Sequence, residues 1–410
     1  MLAGCATGPE PELVAVVVPP PVYATDLPPA GLDEAWWRGF GDPALNDLVA
    51  RGLAANLDID AATDRLDAAA ALLAAERSDR LPTLDAAGEA GVDLRAAAAD
   101  YAEADYILAD QRRLVAAAIA SQYIEYRRTG AQLDLLQQST DLQERTLRIV
   151  TLRFEAGLAA NLDVRRAAAD LAQTRARRGL VAIARASAAN ALAILIAEPP
   201  GTFAPPPAQD ASAIPDYSRG PAAGPPADLL RRRTDLLAAE ARLAQAAARI
   251  GIEQADLRPS LTIPGTIGLG DGTLGGLFTN FLAGVGAALD LPLFDGGRRR
   301  AEVEAAQAEG RARLAEYRAT FLDALGEVEN ALVAIEAYGQ RNDDLAEAIE
   351  QSETALGQSD ALYREGLASL FDVLDAQRQL IASRQSLIDS EAALASSHVA
   401  FHAAVGSQGY

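Results

Sequence analysis

Apolar side chains recur every three or four residues along most of the chain, which is the spacing of amphipathic α-helices. Between 116 and 136 one helical face collects Ile119, Tyr123, Tyr126 and Leu133. Between 321 and 335 a second face collects Phe321, Leu325, Val328, Leu332 and Ile335. From Pro43 onward the chain is rich in Ala, Leu, Glu, Arg and Gln, which favour helices. The pattern therefore predicts a mainly α-helical protein.

Two of the predicted helices are far longer than those of ordinary globular domains. Residues 95–156 contain no Pro and a single Gly, Gly130, and residues 298–365 contain no Pro and only scattered Gly. At about 1.5 Å per residue, these helices would be roughly 90–100 Å long. Such lengths favour a coiled coil, a helical repeat or the wall of a tunnel.

The chain consists of two related halves. Residues 56–85 match 233–262, pairing Asp58 with Asp235, and residues 154–175 match 363–384, pairing Gly157 with Gly366. We divide the chain into 1–42 as anchor and tether, 43–197 as first repeat, 198–226 as Pro-rich linker and 227–410 as second repeat.

The second half contains a segment that is not helical. Apolar residues alternate with small ones between 258 and 298, which predicts a β-hairpin over 259–294 with a turn near 271–276. Strands of about ten residues could cross a membrane or belong to a hairpin outside one. The first half has 14 residues, 82–95, where the second has 46, 259–304, so we expect its hairpin to be truncated.

Composition narrows the range of functions. The 410 residues carry 36 basic and 57 acidic side chains, and the net charge of −21 argues against nucleic acid as a partner. The sequence contains no stretch of about 18 consecutive apolar residues, which is the length that a transmembrane helix needs.

The single cysteine, Cys5, follows Leu2-Ala3-Gly4 and resembles the acylated cysteine of a bacterial lipoprotein, although a chance tetrapeptide is the alternative. We expect the signal peptide that precedes such a cysteine to lie outside this sequence.

No motif for catalysis or cofactor binding stands out. His398 and His402 have a spacing that can present two metal ligands, but no Cys or Glu nearby completes a site, and we expect two exposed helix histidines. The glycines of Gly268-x-Gly270-x-Gly272 suit a strand and a turn. We predict no enzyme, no cofactor and no metal site.

Several motifs occur in an order that resembles the TolC-like outer membrane factor family. They are Trp36-Trp37-x-x-Phe40-Gly41-Asp42-Pro43, the segment 227–235, Arg258-Pro259-Ser260-Leu261, Leu291-Pro292-Leu293-Phe294-Asp295-Gly296-Gly297, and Tyr363-x-x-Gly366-x-x-Ser369-x-x-Asp372-Val373. The sequence looks most like the lipoprotein branch that serves resistance–nodulation–division pumps. Thr234 stands where the family usually has Pro.

The resemblance implies a fold that is mainly α with a β-hairpin. Duplicated long helical hairpins would form a trimeric α-barrel joined to an outer-membrane β-barrel. It also implies the outer-membrane channel of a tripartite efflux system, a passive exit duct for small molecules. The partners would be two further copies, a periplasmic adaptor, an inner-membrane pump and outer-membrane lipid, with acylation, for instance by palmitate, at Cys5. The protein would be anchored in the outer membrane and extend into the periplasm.

The resemblance also implies an acidic gate at the periplasmic end. Asp372, Asp375, Asp163 and Tyr363 match that region, and Gly157 and Gly366 mark the tips where the long helices reverse. Ordinary helix-dipole partners are the alternative role for the aspartates. Asp163 is the expected partner of Tyr363, and Ala368 stands where the family sometimes has an arginine.

Two alternatives remain at this point. One is a periplasmic helical adaptor without a pore. The other is a truncated outer membrane factor that does not insert, because a trimer with one hairpin per chain would close a barrel too narrow for a duct.

Overall fold

The computed structural model describes residues 19–24, 35–78, 93–205, 214–221, 225–262, 265–269, 281–291 and 294–406, which are mainly helical. The first half consists of a 3₁₀ helix Trp36–Phe40, α1 (Pro43–Ala55), α2 (Leu57–Ser78), α3 (Asp93–Glu155) and α4 (Asn161–Leu195). The second half consists of a 3₁₀ helix Pro226–Asp228, α5 (Leu229–Arg232), α6 (Thr234–Ala255), four strands, α7 (Arg298–Glu365) and α8 (Leu370–Val405).

The four strands form one antiparallel hairpin pattern. β1 (Ser260–Thr262) pairs with β4 (Ala288–Asp290), and β2 (Gly265–Leu269) pairs with β3 (Phe281–Val285). Both ladders keep the same register. The described residues of the expected hairpin form four strands of three to five residues. The expected turn at 271–276 lies outside the described residues.

The connection between α2 and α3 is much shorter than its counterpart in the second half. Residues 79–92 join α2 to α3, whereas residues 256–297 join α6 to α7. Most of the expected truncated hairpin, 82–92, lies outside the described residues. The expectation that residues 93–95 belong to that hairpin is wrong, because they form the first turn of α3.

The chain forms two compact units. The first comprises Met1–Pro19, Ala61–Asp110 and Leu230–Asp323, and the second comprises Pro20–Asp60, Gln111–Leu229 and Ala324–Tyr410. In the first unit, Arg242 of α6 forms a 2.6 Å ion pair with Glu103 of α3.

Part of the core of the second unit forms where α1 meets α3, with Gly52 against the buried Ile119. Asp42 begins α1 because its carboxylate accepts a 2.8 Å hydrogen bond from the Ala44 amide and Pro43 occupies the first turn. The other oxygen of Asp42 accepts hydrogen bonds from Tyr123 at 2.7 Å and Arg127 at 2.9 Å. A charged carboxylate in such a buried position would be unfavourable without these hydrogen bonds and the ion pair with Arg127.

The prediction that His398 and His402 are exposed is wrong. Their side chains are buried, with 5% and 9% exposure. The ring of Trp36 stacks on His402 at 5.4 Å, and the ring of Tyr217 stacks on His398 at 4.8 Å. The covering rings belong to residues far from the histidines in the sequence. The amino acids next to the histidines in α8 therefore do not show that these side chains are buried.

Among the described helices, α4 alone is long and apolar enough in one window to cross a membrane, judged by length and composition. Only 17% of that window is buried, and a single helix of this kind does not establish a membrane span.

Candidate functional site

The two turns between the long helices have the same construction. Gly157, between α3 and α4, has φ +77°, and Gly366, between α7 and α8, has φ +78°. The Leu158 amide donates to the Arg153 carbonyl at 2.7 Å, and the Leu367 amide donates to the Leu362 carbonyl at 2.8 Å. Left-handed backbone at this position is typical of glycine at the end of a helix. A Cβ atom added at either glycine would meet no atom within 4 Å. The constraint at both positions is therefore the backbone conformation and not the available space.

Matching ion pairs join the helices behind each turn. Arg175 of α4 pairs with Glu144 of α3 at 2.6 Å, and Arg384 of α8 pairs with Glu353 of α7 at 2.5 Å. The two arginines correspond in the repeat, and the two glutamates correspond under the same offset. Sequence reasoning matched the arginines and missed the glutamates, which the repeat offset could have identified.

Ser369 and Asp372 form a capping box at the N-terminus of α8. Its carboxylate accepts hydrogen bonds from the Ser369 amide at 2.9 Å and the Ser369 hydroxyl at 2.7 Å, and the Asp372 amide donates back to that hydroxyl at 3.4 Å. The side-chain and backbone donors of Ser369 hold the pKa of Asp372 below its usual value. The residue is exposed, so it presents a fixed negative charge at neutral pH.

Asp375 lies one turn further along α8 and is also exposed. Its carboxylate pairs with Arg378 at 3.3 Å, and Arg378 also approaches Asp170 of α4 at 3.6 Å. Exposed pairs of this kind contribute little to stability. Arg378 is a residue that sequence reasoning did not select.

An open groove of about 440 Å³ runs beside the two aspartates, between α7 and α8. It is lined by acids, amides, hydroxyls and small side chains: Gln351, Ser352, Ala355, Ser359, Asp372, Asp375, Ala376 and Gln379. The groove brings Asp372 and Asp375 together on one surface.

Asp163 occupies the position in α4 that Asp372 occupies in α8, but its surroundings differ. The residue before α4 is Ala160, where the second half has Ser369, so no side chain caps α4. Asp163 is half-buried in the first turn of α4. Its charge acts on Tyr363 from a distance and helps raise the pKa of that phenol.

Tyr363 lies in the last turn of α7, inside a small apolar cluster. It is 7% exposed and packs with Val150, Leu370, Val373 and Leu374. Within the described chain its hydroxyl has no hydrogen-bond partner, so the expected bond to Asp163 is not formed. Burial is the main reason that the pKa of Tyr363 is raised, and the charge of Arg153 acts in the opposite direction.

The Arg153 side chain also contacts Tyr363. Its guanidinium carbon lies 4.7 Å from the centre of the tyrosine ring, and its Nη1 donates to the Tyr363 carbonyl at 3.0 Å. It therefore joins the last turn of α3 to the last turn of α7. Sequence reasoning missed Arg153 because its counterpart in the repeat is Leu362, so the repeat gives no signal for it.

The described residues include no group of three or more His, Cys, Asp or Glu arranged to hold a metal ion. Cys5, the expected lipidation site, lies outside the described residues.

Comparison with known proteins identifies the class. Residues 226–407 match the family model described as outer membrane efflux protein. Nodulation protein T of Rhizobium leguminosarum bv. viciae is 30% identical over 406 residues, which cover 90% of this chain and 83% of that protein. Pyoverdine export outer membrane protein OpmQ of Pseudomonas aeruginosa is 28% identical over 415 residues, covering 90% of this chain and 86% of that protein.

A solved structure agrees with these matches. The outer-membrane channel OprN superposes with a TM-score of 0.87 at 26% identity, covering 94% of this chain and 96% of that chain. The chain belongs to the outer membrane efflux protein family, and it is an outer membrane efflux channel. The resemblance inferred from the motifs and the mainly helical fold class are both confirmed.

Proposed function

We propose that the chain works as a homotrimer, forming the passive exit duct of a tripartite system with a periplasmic adaptor and an inner-membrane pump. The observation that carries this proposal is the match to efflux channels over nearly the whole chain. Selection of the exported molecule would belong to the pump, because a passive duct meets its cargo only in passing. Catalysis is not part of the proposed role.

The proposed periplasmic entrance is an acidic gate around Asp372 and Asp375. In a trimer each carboxylate is present three times, and a ring of carboxylates binds cations and repels anions. The exposed carboxylate of Asp372, held by hydrogen bonds from Ser369, supports this role, since its lowered pKa keeps it charged. The capping role of Asp372 is compatible with a gating role, because the capping box holds its carboxylate in a defined position at the start of α8.

The proposed closed state is held by contacts at the two turns. Tyr363 is buried at the end of α7, and Arg153 and Asp163 are the charges that act on it. An adaptor that displaces these contacts would let the helix ends beyond Gly157 and Gly366 move apart. The proposal also includes anchoring through an acylated Cys5, on the strength of Leu2-Ala3-Gly4-Cys5.

Planar-bilayer recording tests the duct and the gate together. We expect a trimer in detergent and cation-selective conductance that a trivalent cation blocks. The double variant D372A/D375A should relieve much of the block. The control D343A/D344A removes two exposed charges from α7 far from both helix turns, and it should be blocked as the parent is. Monomers alone would contradict the duct, and block unchanged in D372A/D375A would contradict the gate.

The same preparation separates the two alternatives. A folded trimer that never enters the bilayer would favour an outer membrane factor made insertion-defective by its shortened first hairpin. A monomer that binds a pump but does not conduct would favour the adaptor.

A further inference from the structure

A cavity of about 450 Å³ lies in the second unit between α7, α8 and the linker residues 214–216. Glu391, on its wall, is 19 residues along α8 from Asp372, or roughly 28 Å of helix, so the cavity is separate from the acidic groove. Its volume is within the range of about 300–1,000 Å³ found for small-molecule sites. The walls are of two kinds, with apolar Ile214, Pro215, Leu394 and Ala395 and polar Asp216, Asn342 and Glu391.

The polar groups of the cavity are acceptors that lack donors. Among the described residues, Asp216 and Glu391 form no ion pair or hydrogen bond, and the buried Oδ1 of Asn342 has no hydrogen-bond partner. Burial and the nearby charge of Asp216 raise the pKa of Glu391. Two adjacent carboxylates without a counter-ion are unfavourable, and a buried oxygen without a hydrogen-bond donor destabilises the folded protein.

The protein itself supplies no positive charge to this cavity from the residues that line it. His398 lies one turn beyond Leu394, is buried to 5% exposure and leaves its Nδ1 without a partner. Burial lowers the pKa of His398 to about 4, although the charge of Asp216 acts to raise it. The imidazole is therefore neutral at pH 7 and does not neutralise Asp216.

We propose that this cavity binds a small organic cation with a primary ammonium group and a short apolar body. An ammonium group has three N–H donors and no acceptor, which matches the carboxylates of Asp216 and Glu391 and the Oδ1 of Asn342. The apolar walls would contact the body of the ligand. A metal ion fits less well, because no suitable group of three ligands occurs in the described part of the chain. The site goes beyond the proposed duct and does not depend on conduction.

Calorimetric titration of the full-length protein with 2-phenylethylamine tests the site, with 2-phenylethanol as the neutral analogue. We expect saturable binding of one amine per chain, at least about tenfold tighter than the alcohol, since the charged contacts are the difference. E391Q and D216N should each weaken amine binding by at least about tenfold. E347Q, which removes an exposed charge from α7 outside the cavity, should bind as the parent does.

Thermal unfolding of each variant would show that a loss of binding is not a loss of folding. The alcohol binding as tightly as the amine would overturn the proposal, as would equal binding by E391Q, D216N and the parent. Saturable binding of Mg²⁺ that displaces the amine from the parent, and that is lost in D216N, would overturn the proposal by assigning the site to a metal. D372A/D375A should bind the amine normally, so failure of the gate and failure of this site are distinguishable.

Discussion

The guanidinium of Arg153 lies over the ring of Tyr363 at 4.7 Å, although 210 residues separate the two in the chain. The same guanidinium donates to the Tyr363 carbonyl at 3.0 Å and approaches the Arg364 carbonyl at 3.4 Å. These carbonyls belong to the last turn of α7, where a positive charge also interacts favourably with the helix dipole. One side chain thus joins the ends of two long helices at the proposed gate.

Replacing Arg153 with alanine should loosen this end of the protein. The ring contact and the hydrogen bonds would be lost together, for a cost of about 1–2 kcal/mol. We expect faster amide hydrogen exchange between 363 and 368 and a higher open probability in bilayer recordings. R148A is the control, because Arg148 is 64% exposed and makes only a 3.9 Å pair with Glu144. Equal exchange rates in R153A and R148A would show that Arg153 does not hold the turn.

Alanine at the two turn glycines should be unfavourable for reasons of backbone conformation. Gly157→Ala and Gly366→Ala place a side chain at φ +77° and +78°, and each should cost about 1 kcal/mol. Gly357→Ala is the matched control, because Gly357 lies inside α7 with no atom within 4 Å of the added carbon. That change should be neutral or stabilising by up to about 1 kcal/mol. Denaturant unfolding measures all three, and destabilisation by Gly357→Ala would contradict the argument.

The capping box offers a reciprocal pair of substitutions. Ser369→Ala removes the cap of α8 and should destabilise the protein by about 1 kcal/mol, and the pKa of Asp372 should rise. Ala160→Ser places a hydroxyl before α4 at the corresponding position, three residues from Asp163, and should stabilise the protein. Unfolding midpoints and NMR titration of the aspartates would measure both effects. A loss of stability in Ala160→Ser would show that the two turns differ in more than the capping residue.

Acidification should destabilise the second unit through His398. Its pKa is about 4 in the folded protein against an ordinary 6.5, so the unfolded chain binds more protons between these values. The free energy of unfolding should therefore fall as the pH drops from 6.5 to 4, by at most about 3 kcal/mol. His398→Phe, which keeps a ring against Tyr217, should flatten this dependence.

Glu391 has the opposite effect and must be controlled. Its pKa is raised, so its contribution to stability is present at low pH and is lost as the pH rises through that raised pKa. Urea unfolding across pH 4 to 7 in an E391Q background isolates the histidine. A slope unchanged by His398→Phe in that background would rule out His398 as its source.

Local patterns accounted for the helices and the turns. The bounds of α7 coincide with the stretch 298–365 that lacks proline, and Gly157 and Gly366 take the left-handed conformation expected where a helix reverses. The spacing of Ser369 and Asp372 is enough for a capping box. These features depend on residues within one or two helical turns of each other, and such interactions can be deduced from the order of the amino acids.

Contacts between distant segments could not be deduced in this way. The family resemblance suggested Asp163 as the partner of Tyr363, yet the structure places Arg153 on the ring. The lack of further metal ligands nearby suggested two exposed histidines, yet Trp36 and Tyr217 cover His402 and His398. The sequence by itself determined the helical class, the duplication and the family, because periodicity and motif order are properties of the chain. Only the tertiary structure decided which charges meet and which are buried, because burial depends on the segments that pack over a residue from elsewhere.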